Sequence, residues 1–150
     1  MAKAIALSIE NARSGKGGPF AAVIVREGKI IAQGTNQVTS AQDPTAHAEI
    51  VAIRAACRAL GHFRLTGCEI YATCEPCPMC MGAIYWARPA RVYFATTGED
   101  AARYGFDDSE IRAQLQLPWS QRKIPMKQMM RQEALAAFPA WDQCPGKIEY

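Results

Sequence analysis

Ten residues in the middle of the chain, TCEPCPMCMG, set three cysteines, Cys74, Cys77 and Cys80, at intervals of three with prolines between them. Thiols so spaced can clamp a metal, shuttle electrons as a dithiol or close a structural site. The stretch HAE, His47 to Glu49, separates these chemistries. A catalytic zinc takes three nitrogen or sulfur ligands and keeps one position open for water. His47, Cys77 and Cys80 form a set of that size. A redox pair at Cys74 and Cys77 would give HAE no task. A structural site of all three cysteines with His47 would close the open position. Cys74 then reads as a small buried residue at a strand end, and Cys57, Cys68 and Cys144 as free buried thiols.

The elements around these residues must bring them together. Asp43 and Pro44 suit the start of a helix on which Ala46, Ile50, Ile53, Cys57 and Leu60 share one face and which Gly61 ends. His47 lies in its first turns. Glu49, two residues on, is turned about 200° around the helix axis from His47. It is therefore a mover of protons and not a fourth ligand. Glu69 to Thr73 reads as a buried strand and Pro78 to Ala87 as a short helix, so TCEPC falls where strand gives way to helix. Cys77 and Cys80 stand at i and i+3 on its opening turn, where their sulfurs share a face and the free amides favour thiolate. Two thiolates balance a divalent cation. Helix-end geometry also offers the backbone amide of Ala48, or those near Cys77, to polarise a substrate.

The rest of the chain alternates in the same way. A first helix carries Ile5, Ile9 and Ala12 on one side and breaks at Ser14 to Gly18; strands Ala21 to Arg26 and Lys29 to Thr35 are joined at Glu27 and Gly28 by a tight hairpin. Arg91 to Ala95 is a further strand. Beyond Gly98 come a loop, GEDAARYGFDDS, a helix from Ser109 to Leu115, a short strand near Ile124 to Met130 and a final helix about Gln132 to Phe138. With no linker or repeat, this reads as one α/β domain over residues 1–150. SGKGGPF lacks the spacing and hydroxyl residue of a phosphate loop, His62 has no partner pattern, and Met79, Met81, Met126, Met129 and Met130 are packing residues of the core or a dimer.

Composition bounds the class. The chain has 150 residues, 49% apolar and 21% charged, enough for one hydrophobic core. No run approaches the ~20 apolar residues that cross a bilayer, and the N-terminus is too polar for a secretory signal. The cytoplasm is the expected compartment, where clustered cysteines serve metal or redox work and not disulfides. The net charge of +3 is spread without a basic run, which argues against a dedicated nucleic-acid groove.

Histidine, glutamate two residues on, then proline-cysteine-two-cysteine is a pattern given for zinc nucleobase deaminases. On HAE and PCPMC the chain resembles the cytidine deaminase-like superfamily. Within it, GGPFAAVIV, NQVTSAQDPTAHAE, CEPCPMCMGAIYWARP and YGFDDS are similar to bacterial guanine deaminases over nearly the whole length. The N-terminus is shorter, and ATCEPC stands where family members often have serine before the cysteine. The resemblance implies a three-layer α/β/α fold with a mixed five-stranded sheet, one zinc per subunit, a homodimer, and deamination of free guanine to xanthine and ammonia. It assigns Glu49 and Asp108 to proton transfer, and Asn36, Phe20, Trp86 and Tyr150 to the base. The tail from about residue 139 is expected to cross to the partner subunit. From the residues alone Asn36 is as well read as a turn former, Phe20 and Trp86 as core, Asp108 as a cap and Tyr150 as a frayed end. A tRNA adenosine deaminase shares HAE and PCxxC, but the tail AAFPAWDQCPGKIEY is not basic. A related aminopurine or aminotriazine is the other alternative substrate.

Overall fold

The computed structural model describes all 150 residues, which form two compact units, Met1–Ser109 and Glu110–Tyr150. The first holds a four-stranded sheet. Its strands are β1 (Ala21–Arg26), β2 (Lys29–Thr35), β3 (Cys68–Cys74) and β4 (Arg91–Thr96). They run in the order β2-β1-β3-β4, with β1 antiparallel to both neighbours and β3 parallel to β4. The hairpin turns at Glu27 and Gly28, both left-handed with φ of 51° and 73°. Such a turn matches the strands' own twist.

Helices cover both faces, as strand alternation requires. On one face, α3 (Ala48–Leu60) and α4 (Pro78–Ala87) bury Ala48, Ala52, Ala56, Ile84 and Ala87 against Ala22, Ile24 and Ile70. On the other lies α1 (Ala2–Ser14), whose buried residues are Ala4, Ser8 and Asn11. The expected apolar side is thus corrected: Ile5 and Ile9 are 41% and 46% exposed, and small and polar side chains face the sheet. A short α2 (Val38–Ala41) links β2 toward α3.

Gly34 sets the depth of α3. A Cβ there would lie 2.4 Å from the Ala48 carbonyl oxygen and 2.5 Å from the Ala52 nitrogen, so only glycine lets this backbone meet the strand. The helix begins later than the sequence suggests. Asp43 does not cap it; its carboxylate accepts from the Thr45 N–H and hydroxyl at 2.8 and 2.7 Å, closing a local turn, and His47 takes the cap position.

A capped α5 (Gly98–Ala102) completes the first unit, and α6 (Ser109–Gln116) opens at its end. The second unit continues with α7 (Arg131–Leu135) and α8 (Ala137–Asp142). The single helix expected here splits, because in a continuous helix the Pro139 ring would meet the Leu135 carbonyl and lose that bond. The fifth strand is absent: Ile124 to Met130 pairs with nothing, and Pro125 removes a ladder donor within it. Met126, Met129 and Met130 are 54% to 72% exposed and so are not core. No helix is long and apolar enough to cross a membrane.

Gly34→Ala should lower stability by about 1–3 kcal/mol, since main-chain atoms cannot rotate away from the added methyl, and should weaken metal retention through the displaced start of α3. Thermal unfolding checks it; an unchanged Tm would show that α3 does not rest on β2 at this point.

Candidate metal centre and substrate site

Two helix N-termini converge at the C-terminal end of the β3/β4 pair. His47 is the N-cap of α3 and Cys77 the N-cap of α4, with Pro78 fixing the first turn and Cys80 two residues further on. Neither cap side chain makes a capping hydrogen bond. Both turn to each other instead. His47 Nδ1 lies 3.5 Å from Cys77 Sγ and 3.6 Å from Cys80 Sγ, and the three ligand atoms all fall within 4.8 Å of one another.

These spacings suit a metal. Around a tetrahedral zinc with bonds of about 2.3 Å to sulfur and about 2.0 Å to nitrogen, the sulfur and nitrogen ligands stand about 3.5 Å apart. The donor set of one imidazole and two thiols is zinc's own, and Cys80 is fully buried while His47 and Cys77 are half-buried. These residues fit zinc and leave one tetrahedral position unfilled by protein. Cys74 stands outside the cluster. Its thiol donates to the Thr97 carbonyl at 3.5 Å, and burial pushes its pKa up.

Charge within the cluster is organised before any cation is considered. The Cys80 thiol, beside Cys77, holds the Cys77 pKa down to about 4, with His47 adding to the effect against the opposing cost of burial. The same contact, with burial adding to it, pushes Cys80 up. The Cys77 thiolate in turn raises His47. Glu49 is 8% exposed next to Cys80, Cys77 and His47, and desolvation lifts its carboxyl above the usual range.

Beside the cluster lies a wall built where β1 begins and β2 ends. The Thr73 hydroxyl donates to the Ala21 carbonyl at 3.2 Å and accepts the Ala21 N–H at 3.0 Å. Phe20 accepts the Asn36 N–H at 3.0 Å, tying the two strand ends together. Asn36 is 7% exposed; its Oδ1 accepts from the N–H groups of Gly18 (3.2 Å) and Val38 (3.3 Å). Both partners are donors, so the amide orientation is fixed by the network, with Nδ2 left over as a donor. Phe20 meets Phe106 edge-to-face at 4.8 Å. Ala48 is buried in the helix–sheet core at the first position of α3.

Asp108, Trp86 and Tyr150 are the remaining expected site residues. Asp107 takes the capping task at α6, accepting the Ser109 N–H at 2.9 Å, and its carboxyl is held low by that bond. Asp108 beside it is half-buried. Trp86 is 62% exposed on α4, and Tyr150, at the end of the second unit, is 72% exposed. Cys144 is exposed and not a buried thiol. His62 accepts the Arg64 N–H and stacks on Phe63, a local surface arrangement. Sequence reasoning passed over Phe106, although it sits in YGFDDS, and over Gly34, where an isolated glycine in a strand signals close backbone approach.

Residues 1–96 match the cytidine and deoxycytidylate deaminase zinc-binding region. The chain belongs to this family. Within it, the chain is 51% identical over 148 residues to the guanine deaminase of Bacillus subtilis, covering 99% of this chain and 95% of that one. The X-ray structure of guanine deaminase from Bacillus subtilis aligns with a TM-score of 0.96 over 99% of this chain and 94% of that one. The tRNA-specific adenosine deaminase of Agrobacterium fabrum is 50% identical over 94 residues, 63% of this chain and 60% of that one. The family resemblance expected from HAE and PCPMC is borne out, and so is a mixed α/β sheet, with four strands in place of five.

Cys77→Ala or Cys80→Ala should strip the zinc, whereas Cys74→Ala should keep about one per chain by elemental analysis. In the metal-stripped protein, iodoacetamide at about pH 6 should label Cys77 ahead of the exposed Cys144, because the thiolate is the nucleophile. Zinc should protect it. Faster labelling of Cys74 would contradict the assignment.

Proposed function

We propose that the chain is a zinc-dependent guanine deaminase, hydrolysing the exocyclic amine of free guanine to give xanthine and ammonia. The observation that carries this is the likeness to guanine deaminase across 99% of the chain; likeness to a tRNA-specific adenosine deaminase stops at 63%. The ligand-spaced trio His47, Cys77 and Cys80 supports the chemistry.

Bound zinc supplies Lewis acidity that makes water a nucleophile near neutral pH. The chain's own residues do the rest. Glu49, buried against the ligand cluster with a raised pKa, takes one proton from water and gives it to the ring nitrogen, then carries a second, from the hydroxyl group so added, to the leaving amine. A carboxyl whose pKa is raised holds the proton more readily between its two transfers. Asp108 is the second proton carrier at the departing ammonia. Asn36 meets the polar edge of the base with its Nδ2, and Phe20 with Phe106 gives a flat apolar wall. The Ala48 amide, at the start of α3, is placed by the helix dipole to polarise the base.

Two copies form a homodimer in this proposal, working in the cytoplasm. Residues 1–150 act as one deaminase domain whose tail, from about residue 139, is exchanged between copies. The exchanged tail brings Tyr150 to the base as a lid, and Trp86, now largely exposed, becomes a wall of the closed site. A lid of this kind excludes water and bars a polynucleotide.

Ammonia release should be seen with guanine and be far smaller with adenine, cytosine, cytidine and a tRNA stem-loop; deamination of the stem-loop in preference to guanine would refute the proposal. Glu49→Gln should retain zinc while kcat falls by about 10²–10⁴. Asn36→Ala should cost about 1–3 kcal/mol in kcat/KM. Normal turnover in Glu49→Gln would remove that carboxyl from the mechanism.

A further inference from the structure

One buried polar side chain on α1 touches no ligand residue yet reaches the base-binding wall. Asn11 is 6% exposed, inside a 13-residue helix and on the face it turns to the sheet. A buried amide there is costly unless its donors are met. Its Nδ2 donates to two carbonyls at once, Gly18 and Asn36, each at 2.9 Å. Gly18 in turn gives its N–H to Asn36 Oδ1 at 3.2 Å. Gly17 completes the joint: a Cβ there would stand 2.0 Å from the Asn36 carbonyl oxygen and 3.1 Å from Oδ1.

We propose that Asn11 is a positioning residue for base recognition, acting through Gly18 and Asn36 to hold the Asn36 amide with Nδ2 toward the substrate. The proposal rests on the guanine deaminase function given above. Asn36 can discriminate between bases only while its orientation is fixed, since a flipped amide offers an acceptor where the base needs a donor. Main-chain hydrogen bonds to Oδ1 from Gly18 and Val38 fix it. The Gly18 bond depends on the loop between α1 and β1 staying in place, and Asn11 pins both that loop and the Asn36 carbonyl from below. Ser8 is the natural control. It is buried on the same helix face, but its hydroxyl donates to the Ile5 carbonyl within the helix and reaches nothing at the wall.

The test uses zinc-loaded full-length protein as wild type, Asn11→Ala, Asn11→Ser and Ser8→Ala. Two quantities are read: guanine kinetics, and the side-chain amide signal of Asn36 by nitrogen-15 NMR without substrate. Asn11→Ala should raise KM about tenfold with kcat within about twofold, the pattern of lost binding and not of lost chemistry. Asn11→Ser, keeping one donor, should fall between, and Ser8→Ala should keep the wild-type KM. The Asn36 amide signal should shift and broaden in Asn11→Ala and not in Ser8→Ala. In an Asn36→Ala background, adding Asn11→Ala should change kcat/KM less than about twofold, because the group it orients is gone. An unchanged KM and amide signal, or effects that multiply fully in the double variant, would overturn the proposal. If Asn11→Ala does not fold, Asn11→Ser is judged by the same criteria. The NMR signal needs no substrate, so an amide shift in a protein inactive on guanine would refute the function and leave the positioning role standing. Normal guanine turnover with an unmoved signal would refute Asn11 alone.

Discussion

Three ligand atoms and a carboxyl are packed where two helices begin, and the first unit is arranged to hold them there. Unbalanced, such a cluster is expensive: Cys80 is fully buried, Glu49 is 8% exposed, and the Cys77 thiolate presses on both. A divalent cation held by His47, Cys77 and Cys80 would offset that cost, and the nitrogen–sulfur spacings of 3.5 and 3.6 Å suit one. The cluster is therefore both the chemical centre and a point at which binding and folding are coupled.

Everything near it can be traced to how closely backbones approach. Gly34 lets α3 settle on β2, and alanines at 48, 52 and 56 keep it there. That contact fixes His47 at the cap and Glu49 one step inside the helix. On the other side of the cluster, β3 ends at Cys74 and the chain reaches Cys77 within three residues, with the Glu75 N–H bound to the Thr96 carbonyl at 2.8 Å. The parallel β3/β4 pair thus anchors α4, while the antiparallel β1/β2 pair delivers Phe20 and Asn36 from its open end. The two regions are joined through the sheet and by the Gln37 N–H, which donates to the Ala46 carbonyl at 2.9 Å beside His47.

What could be read in the sequence follows from the range of the interactions involved. The hairpin was legible to the residue because Glu27 and Gly28 determine it locally. The ligand trio was legible because zinc demands donor types that few other tasks need together. Less visible were effects that depend on what packs opposite. The periodicity of Ile5 and Ile9 gave the wrong face of α1, since the sheet accepts only small residues and Asn11 at that distance. Asp43 looked like a cap but satisfies Thr45. Residues 124–130 carry Ile124 and three methionines, yet Pro125 and the lack of a pairing strand leave them irregular. Asn11 itself had no local signal: its importance lies in two carbonyls, one of them 25 residues away.

The central claim is that His47, Cys77 and Cys80, and not Cys74, form the metal site. X-ray absorption at the zinc edge of the loaded, substrate-free protein tests it most directly. Two sulfur scatterers at about 2.3 Å with two lighter nitrogen or oxygen scatterers at about 2.0–2.1 Å would agree with one histidine, two cysteines and an open position. Three sulfurs at about 2.3 Å would bring Cys74 into the shell, close the site, and contradict the account.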